Sequence, residues 1–281
     1  MKERVMKERG LIIIAMLMAA YLTPANALGE YGRTAESEVD PEIMKIDEDK
    51  FLGVPVAADY RLTAGDGSNL LLGDLLAGKP LIILLSYYRC DGICSTVSRT
   101  FRDIVGKMKK VRLGDDFTVL TLSFDMNDNL KTLTMFNDEL NNPDWMDEGW
   151  TTALFDEEKD IKRLTESVGY NFFWSARDQM FLHPNVFIFL SPEGRVVRYL
   201  YGATIGEQDV ELAITEAAFG KSGRSKVEDI KDLILIACYS YNYKEGKYSI
   251  NYPLFIAIGS LFFGISTVVI SLTVIKKRVR R

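Results

Sequence analysis

Cys90 and Cys94 stand four residues apart at the end of an apolar run, Leu81-Ile-Ile-Leu-Leu-Ser-Tyr-Tyr-Arg-Cys90-Asp-Gly-Ile-Cys94. The chain's single histidine, His183, follows far downstream in Phe181-Leu-His-Pro184. Two soft thiolates and an imidazole suit monovalent copper, and the imidazole also tolerates Cu(II). Zinc competes for such donors, but structural zinc normally takes four protein ligands. The two thiols could instead cycle through a disulfide. Helical Cα atoms four residues apart lie about 6 Å from each other, within closing range. A helix start would favour thiolate in either chemistry, through its unpaired N–H groups and dipole. A copper site and a dithiol exchanger, with Cys90 attacking and Cys94 resolving, therefore both remain open. A peroxidase with Arg89 or Arg99 beside an activated thiolate is a third class.

The surrounding patterns say how such residues would be positioned. Leu81–Leu85 is an unbroken apolar run after the breaker Gly78-Lys-Pro80, which reads as a strand buried on both faces. From Ile93 to Met108 the apolar residues fall at spacings of three and four, an amphipathic helix beginning at the cysteines. Phe117–Ser123 and Thr151–Phe155 read as strands, and Asn129–Leu140, Glu157–Val168 and Gln208–Phe219 as helices. Ala58–Leu72 and Asn185–Tyr201, the latter around Ser191-Pro-Glu-Gly194, read as hairpins. Strands alternating with helices, then a hairpin and a closing helix, predict an α/β fold with a central mixed sheet. A dithiol where a strand passes into a helix makes it thioredoxin-like. Glu139–Trp150 reads as a polar loop with two exposed tryptophans, an insertion or a partner contact.

The ends differ from the body. A basic start, the 12-residue apolar run Leu11–Leu22 and the small residues of Pro24-Ala-Asn-Ala27 predict a signal peptide over 1–27. Tyr252–Ile275 holds 24 uncharged residues, long enough for a membrane helix. The basic tail 276–281 predicts a cytoplasmic C-terminus. The expected order is thus signal peptide 1–27, extended lead-in 28–57, folded domain 58–220, juxtamembrane linker 221–251, membrane helix 252–275 and tail 276–281. The exported part, 28–251, carries 25 basic against 37 acidic residues, a net of −12, which argues against nucleic acid. With only Cys90, Cys94 and Cys238, the protein is no disulfide scaffold. The count reads as one working pair and one leftover.

Four stretches together resemble the Sco/SenC family of copper-binding, thioredoxin-like proteins over roughly residues 58–220. They are Gly78-Lys-Pro before its strand, Tyr88-Arg-Cys90-Asp-Gly-Ile-Cys94, Leu122-Ser-Phe-Asp125-Met-Asn-Asp128, and His183-Pro-Asn-Val-Phe-Ile-Phe-Leu-Ser-Pro-Glu-Gly-Arg-Val-Val-Arg-Tyr199. The resemblance implies one copper ion, Cu(I) before Cu(II), on Cys90, Cys94 and His183, with Asp125 close to the site. It implies a metallochaperone for the CuA centre of cytochrome c oxidase, partnered by the oxidase's copper-bearing subunit and a copper donor. Some members look like thiol-disulfide reductases. The C-terminal anchor resembles a bacterial subgroup, which implies the inner membrane with the domain in the periplasm. Asp91 and Ser95 replace the prolines that usually follow each cysteine, and Asp128-Asn129-Leu130 departs from the usual Thr-Pro continuation. Asp91 opposes thiolate formation by like charge, and Arg89 offsets it. Cys238, with Ser240 where some relatives carry a histidine, is not expected to be a ligand.

Overall fold

The computed structural model describes residues 45–90, 94–202, 205–219, 239–242 and 247–279; within these, the side chains of 94, 95, 240–242, 247, 268 and 270–279 lie outside the description. The expected signal peptide, Cys238 and most of the linker fall outside the described residues. Seven strands form one mixed sheet in the order β2-β1-β5-β4-β3-β8-β9. They are β1 (Arg61–Ala64), β2 (Asn69–Leu71), β3 (Leu81–Ser86), β4 (Thr118–Ser123), β5 (Trp150–Phe155), β8 (Val186–Leu190) and β9 (Val196–Tyr201). β3, β4 and β5 run parallel, while β8 returns antiparallel to β3 and β9 antiparallel to β8. A parallel βαβ unit joined to an antiparallel ββα unit is the thioredoxin-like arrangement expected from the chain's patterning.

The unbroken apolar runs sit at the sheet's centre because both faces are covered. Along β3, Leu81, Ile83 and Leu85 join one core, while Ile82 and Leu84 join the other. Helix α3 (Cys94–Val105) covers the second face through Phe101 and Val105, with α6 (Glu207–Phe219) beside it through Val210, Ala213, Ile214 and Ala217. The first face is covered by α1 (Glu48–Phe51) with its flanks Ile46 and Val56, by α2 (Leu72–Leu76), and by α5 (Glu158–Ser167) through Ile161 and Leu164. Residues 45–57, expected to end an extended lead-in, thus contribute to the core. Helix α4 (Leu130–Leu140) buries Leu133, Phe136 and Leu140 against Tyr88.

Two expectations need correction. Trp150 is not exposed: it opens β5 at 8% exposure, and its indole N–H donates to Thr121 Oγ1 at 2.9 Å. A 3-10 turn (Asp144–Glu148) occupies the loop before it. A short hairpin, β6 (Phe173–Ser175) with β7 (Met180–Leu182), leads into His183 and had no periodic signature. A second hairpin, β10 (Tyr239–Asn242) with β11 (Lys247–Ile250), docks on α6. Tyr248 N–H donates to Asp209 at 3.0 Å, and its hydroxyl bonds Glu216, which also takes Arg198. Helix α7 (Tyr252–Val279) follows directly. Among the described residues no helix is long and apolar enough to cross a membrane, so the span expected over 252–275 finds no support there.

Helix α5 ends in a left-handed turn that delivers Tyr170. Gly169 has φ +68°, its N–H donates to Glu166 O, and Tyr170 N–H reaches back to Thr165 O at 2.8 Å. This double closure is a Schellman motif, which favours glycine at the left-handed position. A Cβ on Gly169 would also lie 2.4 Å from the Phe51 ring. Gly169→Ala is therefore expected to cost about 1–3 kcal/mol of unfolding free energy, read by urea titration. An unchanged midpoint would refute the turn's role.

Candidate metal and dithiol site

β3 ends at Ser86, and the next four residues are each held differently. Tyr87 turns its ring into one core, 5.8 Å from Phe124 and 5.2 Å from Phe181. Tyr88 turns the other way, stacks on Phe136 at 4.8 Å, and donates its hydroxyl to Ala153 O at 2.6 Å. Arg89 reaches Asp125 at 2.9 Å. Cys90 closes a turn, its N–H donating to Tyr87 O at 3.3 Å, and packs half-buried against the first core. Cys94 is the first residue of α3; residues 91–93 between them lie outside the described residues.

His183 arrives from the opposite direction. In the β3–β8 register Leu84 pairs with Phe187, so the start of β8 meets the end of β3. Histidine and cysteines thereby share one end of the sheet, as the expected topology requires. The imidazole sits among Phe124 (5.2 Å), Tyr87 (5.9 Å) and Tyr170 (6.1 Å). A cavity of about 20 Å³ joins His183 to Ser86, Val97 and Ser98. Positions 94, 97 and 98 fall on one face of α3 by helical spacing, so this cavity runs from His183 toward the face that begins at Cys94. Among the described residues no three metal-ligating side chains cluster; the Cys94 side chain is not among them.

Hydrogen bonds assign the histidine's proton. Nδ1 lies 2.8 Å from the Tyr170 hydroxyl and 3.2 Å from Pro184 O. The Tyr170 hydroxyl donates to Leu85 O at 3.3 Å, using its one proton. The Pro184 carbonyl can only accept, so its bond puts the hydrogen on Nδ1 and leaves Nε2 the lone pair, with the Tyr170 oxygen accepting from the same nitrogen. That is the tautomer a metal ligand needs, oriented by a neighbour at its other nitrogen. Burial pushes the imidazole from its ordinary 6.5 down to about 4, with the Pro184 carbonyl pulling slightly back. The ring is neutral at pH 7.

Asp125 is buried at 6% exposure. Besides Arg89 it accepts the Asn127 N–H and side-chain amide, both at 2.9 Å. It therefore stands one residue from Cys90 through Arg89. The aromatic enclosure by Tyr87, Phe124 and Tyr170 was not visible in the sequence, since these rings come from separate elements. Asp128 was passed over as well, although its spacing from Ser123 and Asp125 was a usable signal. Its Oδ2 accepts Tyr88 N–H at 2.7 Å and the Ser123 hydroxyl at 2.6 Å.

The depressed histidine makes a pH prediction for the metal-free protein. A folded-state value of about 4 against 6.5 means the unfolded chain binds the proton better. The stability from neutral His183 is present above about pH 6.5 and is lost as the pH falls toward 4. Glu48, pushed by burial from 4.5 up to about 7, runs the other way: its contribution is lost as the pH rises from 4.5 to 7. It cancels between wild type and His183→Gln. The difference in their unfolding free energies should change by roughly 1–3 kcal/mol between pH 7 and pH 4. A difference that stays constant would contradict this assignment.

No family model and no curated relative matches the chain. Among solved structures it is similar to a candidate electron transfer protein from Aquifex aeolicus VF5, at 28% identity and TM-score 0.54, covering 62% of this chain and 99% of that one. A candidate electron transport protein from the same source aligns at 27% identity and TM-score 0.52, covering 60% and 99%. A SCO1/SenC family lipoprotein from Bacillus anthracis is similar at 18% identity and TM-score 0.49, covering 59% and 99%. In strand order and connectivity the chain is a thioredoxin-fold protein.

Proposed function

We propose that the protein is a copper metallochaperone that carries one Cu(I) on Cys90, Cys94 and His183. The observation that carries this reading is the His183 tautomer. Its Nε2 lone pair sits at the same end of the sheet as Cys90, beside the rings of Tyr87, Phe124 and Tyr170. A neutral imidazole beside two thiolates is a soft, low-coordinate donor set, which favours Cu(I) over harder cations. The Sco/SenC resemblance supplies the client: the copper-bearing subunit of cytochrome c oxidase, whose CuA centre the protein would help assemble, with a separate donor loading it.

The same reading places the domain in the bacterial periplasm. Phe255, Ile256, Leu261, Phe262 and Phe263 are exposed on α7, an apolar surface that calls for an apolar cover.

Thiol-disulfide exchange at Cys90 and Cys94 is the second reading. It is favoured by the strand-to-helix position of the pair, and the redox descriptions of the two Aquifex proteins fit it. Exchange does not need His183, which separates the two.

The full chain, reduced in detergent and loaded with Cu(I), should retain one ion per molecule. His183→Ala and Cys94→Ala should each lose it, with both variants folded by circular dichroism. Tyr170→Phe removes one of the two partners of Nδ1, together with the bond to Leu85 O, and should weaken Cu(I) by about 10–100-fold. Copper content and affinity unchanged in His183→Ala would sink the chaperone reading. Reduction of a client disulfide that survives that substitution would favour exchange.

A further inference from the structure

We infer that Arg89 is a positioning residue for Cys90, acting through a pair of buried carboxylates on the neighbouring strand's loop. The inference rests on the reading of Cys90 as a working thiol and holds for either chemistry.

The Asp125 and Asp128 side chains are 4% and 0% exposed. Charges buried to that degree are stable only when paired and hydrogen-bonded. Their ion pairs are both with Arg89: a terminal guanidinium nitrogen lies 2.9 Å from Asp125 Oδ2, and Nε lies 3.5 Å from Asp128 Oδ1. The carboxylates in turn hold backbone. Asp128 Oδ2 takes the N–H of Tyr88 at 2.7 Å, and Asp125 Oδ1 takes the N–H of Asn127 at 2.9 Å. Phe124 N–H donates to Ser86 O at 2.9 Å, so the loop after β4 is bonded to the end of β3 as well.

Residues 86, 88 and 89 are thus each tied to the segment 124–128, and residue 87 is tied through its ring. Cys90 follows at once, on a backbone whose last four residues are all anchored. Arg89 is the one member of this set that is half-exposed, at 51% of its side chain. It can therefore be changed without opening a cavity in the core. Its loss would leave the two buried carboxylates without a cation partner among the described residues, one residue from Cys90 along the chain. The backbone at Tyr88 would loosen, and the field at Cys90 would turn more negative. Both effects disfavour thiolate at that position, whether the thiolate holds a metal or attacks a disulfide.

Arg89→Gln and Arg89→Lys in the full chain test this with two readouts. Lysine keeps the charge but cannot reach both carboxylates through a planar fork. The first readout is Cu(I) affinity by competition with a chromophoric chelator. Arg89→Gln should weaken it about 10–100-fold, and Arg89→Lys should recover part of the loss. The second is the midpoint potential of the Cys90–Cys94 couple in glutathione buffers, which needs no copper. Glutathione supplies the two electrons and two protons as its own disulfide forms, and takes them up as that disulfide is reduced. Removing the cation destabilises the reduced form, so Arg89→Gln should shift the potential to more negative values by about a tenfold change in equilibrium constant, about 30 mV. Affinity and potential both unchanged in a folded Arg89→Gln would overturn the inference. A wild-type chain that holds no Cu(I) would instead sink the chaperone reading, and the shift in potential would then decide the role of Arg89 by itself.

Discussion

The antiparallel pairing of β3 with β8 is the contact on which the rest depends. Leu81 faces Leu190 and Leu84 faces Phe187. Both strands are buried on both faces, so a slip of one residue would exchange the two cores and strand every side chain on the wrong side. The register therefore has one solution. With it, the exit of β3 and the entry of β8 must lie together, although some ninety residues of chain separate Cys90 from His183. No contact between these two side chains is needed to bring them to the same place. The apolar packing of the strands does it, and the side chains at their ends are free to be chosen for chemistry.

What the packing cannot do is orient those ends, and polar bonds take over there. The bond from His183 Nδ1 to Pro184 O selects a tautomer, and the Tyr170 hydroxyl holds the same nitrogen. The pair Asp125 and Asp128 selects a backbone path. Each buried polar group costs free energy unless it is satisfied, so such networks are sharp: they hold one geometry or become a liability. Tyr170 illustrates how local and tertiary structure combine. Its hydroxyl reaches His183 just after a left-handed glycine turns the chain out of α5, at a position where the Phe51 ring leaves no room for a side chain.

Much of this was legible from the residues. The continuous apolar runs of β3 and β8, the three-and-four spacing of α3, and Ser191-Pro-Glu-Gly194 are signals that tertiary context does not override. The cysteine pair and the lone histidine stood out by chemistry. The hairpin 173–182 did not, because three-residue strands rich in aromatic and polar residues have no usable period. Trp150 was misread because the polar residues before it suggested a loop, whereas its indole N–H is satisfied internally by Thr121. The rings around His183 share no spacing, since they meet only after the sheet has formed. Arg89 looked like a local counter-charge to Asp91, while the structure shows it paired with Asp125 and Asp128 in the loop after β4.

The enclosure of His183 also bears on how cargo would leave. An ion passing between proteins changes owners through intermediates in which old and new donors are bound together, so one old donor must yield first. The imidazole lies among three rings and is hydrogen-bonded at Nδ1, which restrains its swing toward a departing ion. In the proposed chaperone, the order of exchange would follow from that restraint: the histidine would stay in place, and a recipient's donors would enter from the cysteine side of the site. Direction of transfer would follow from which ligand is immobile, rather than from which binds most tightly.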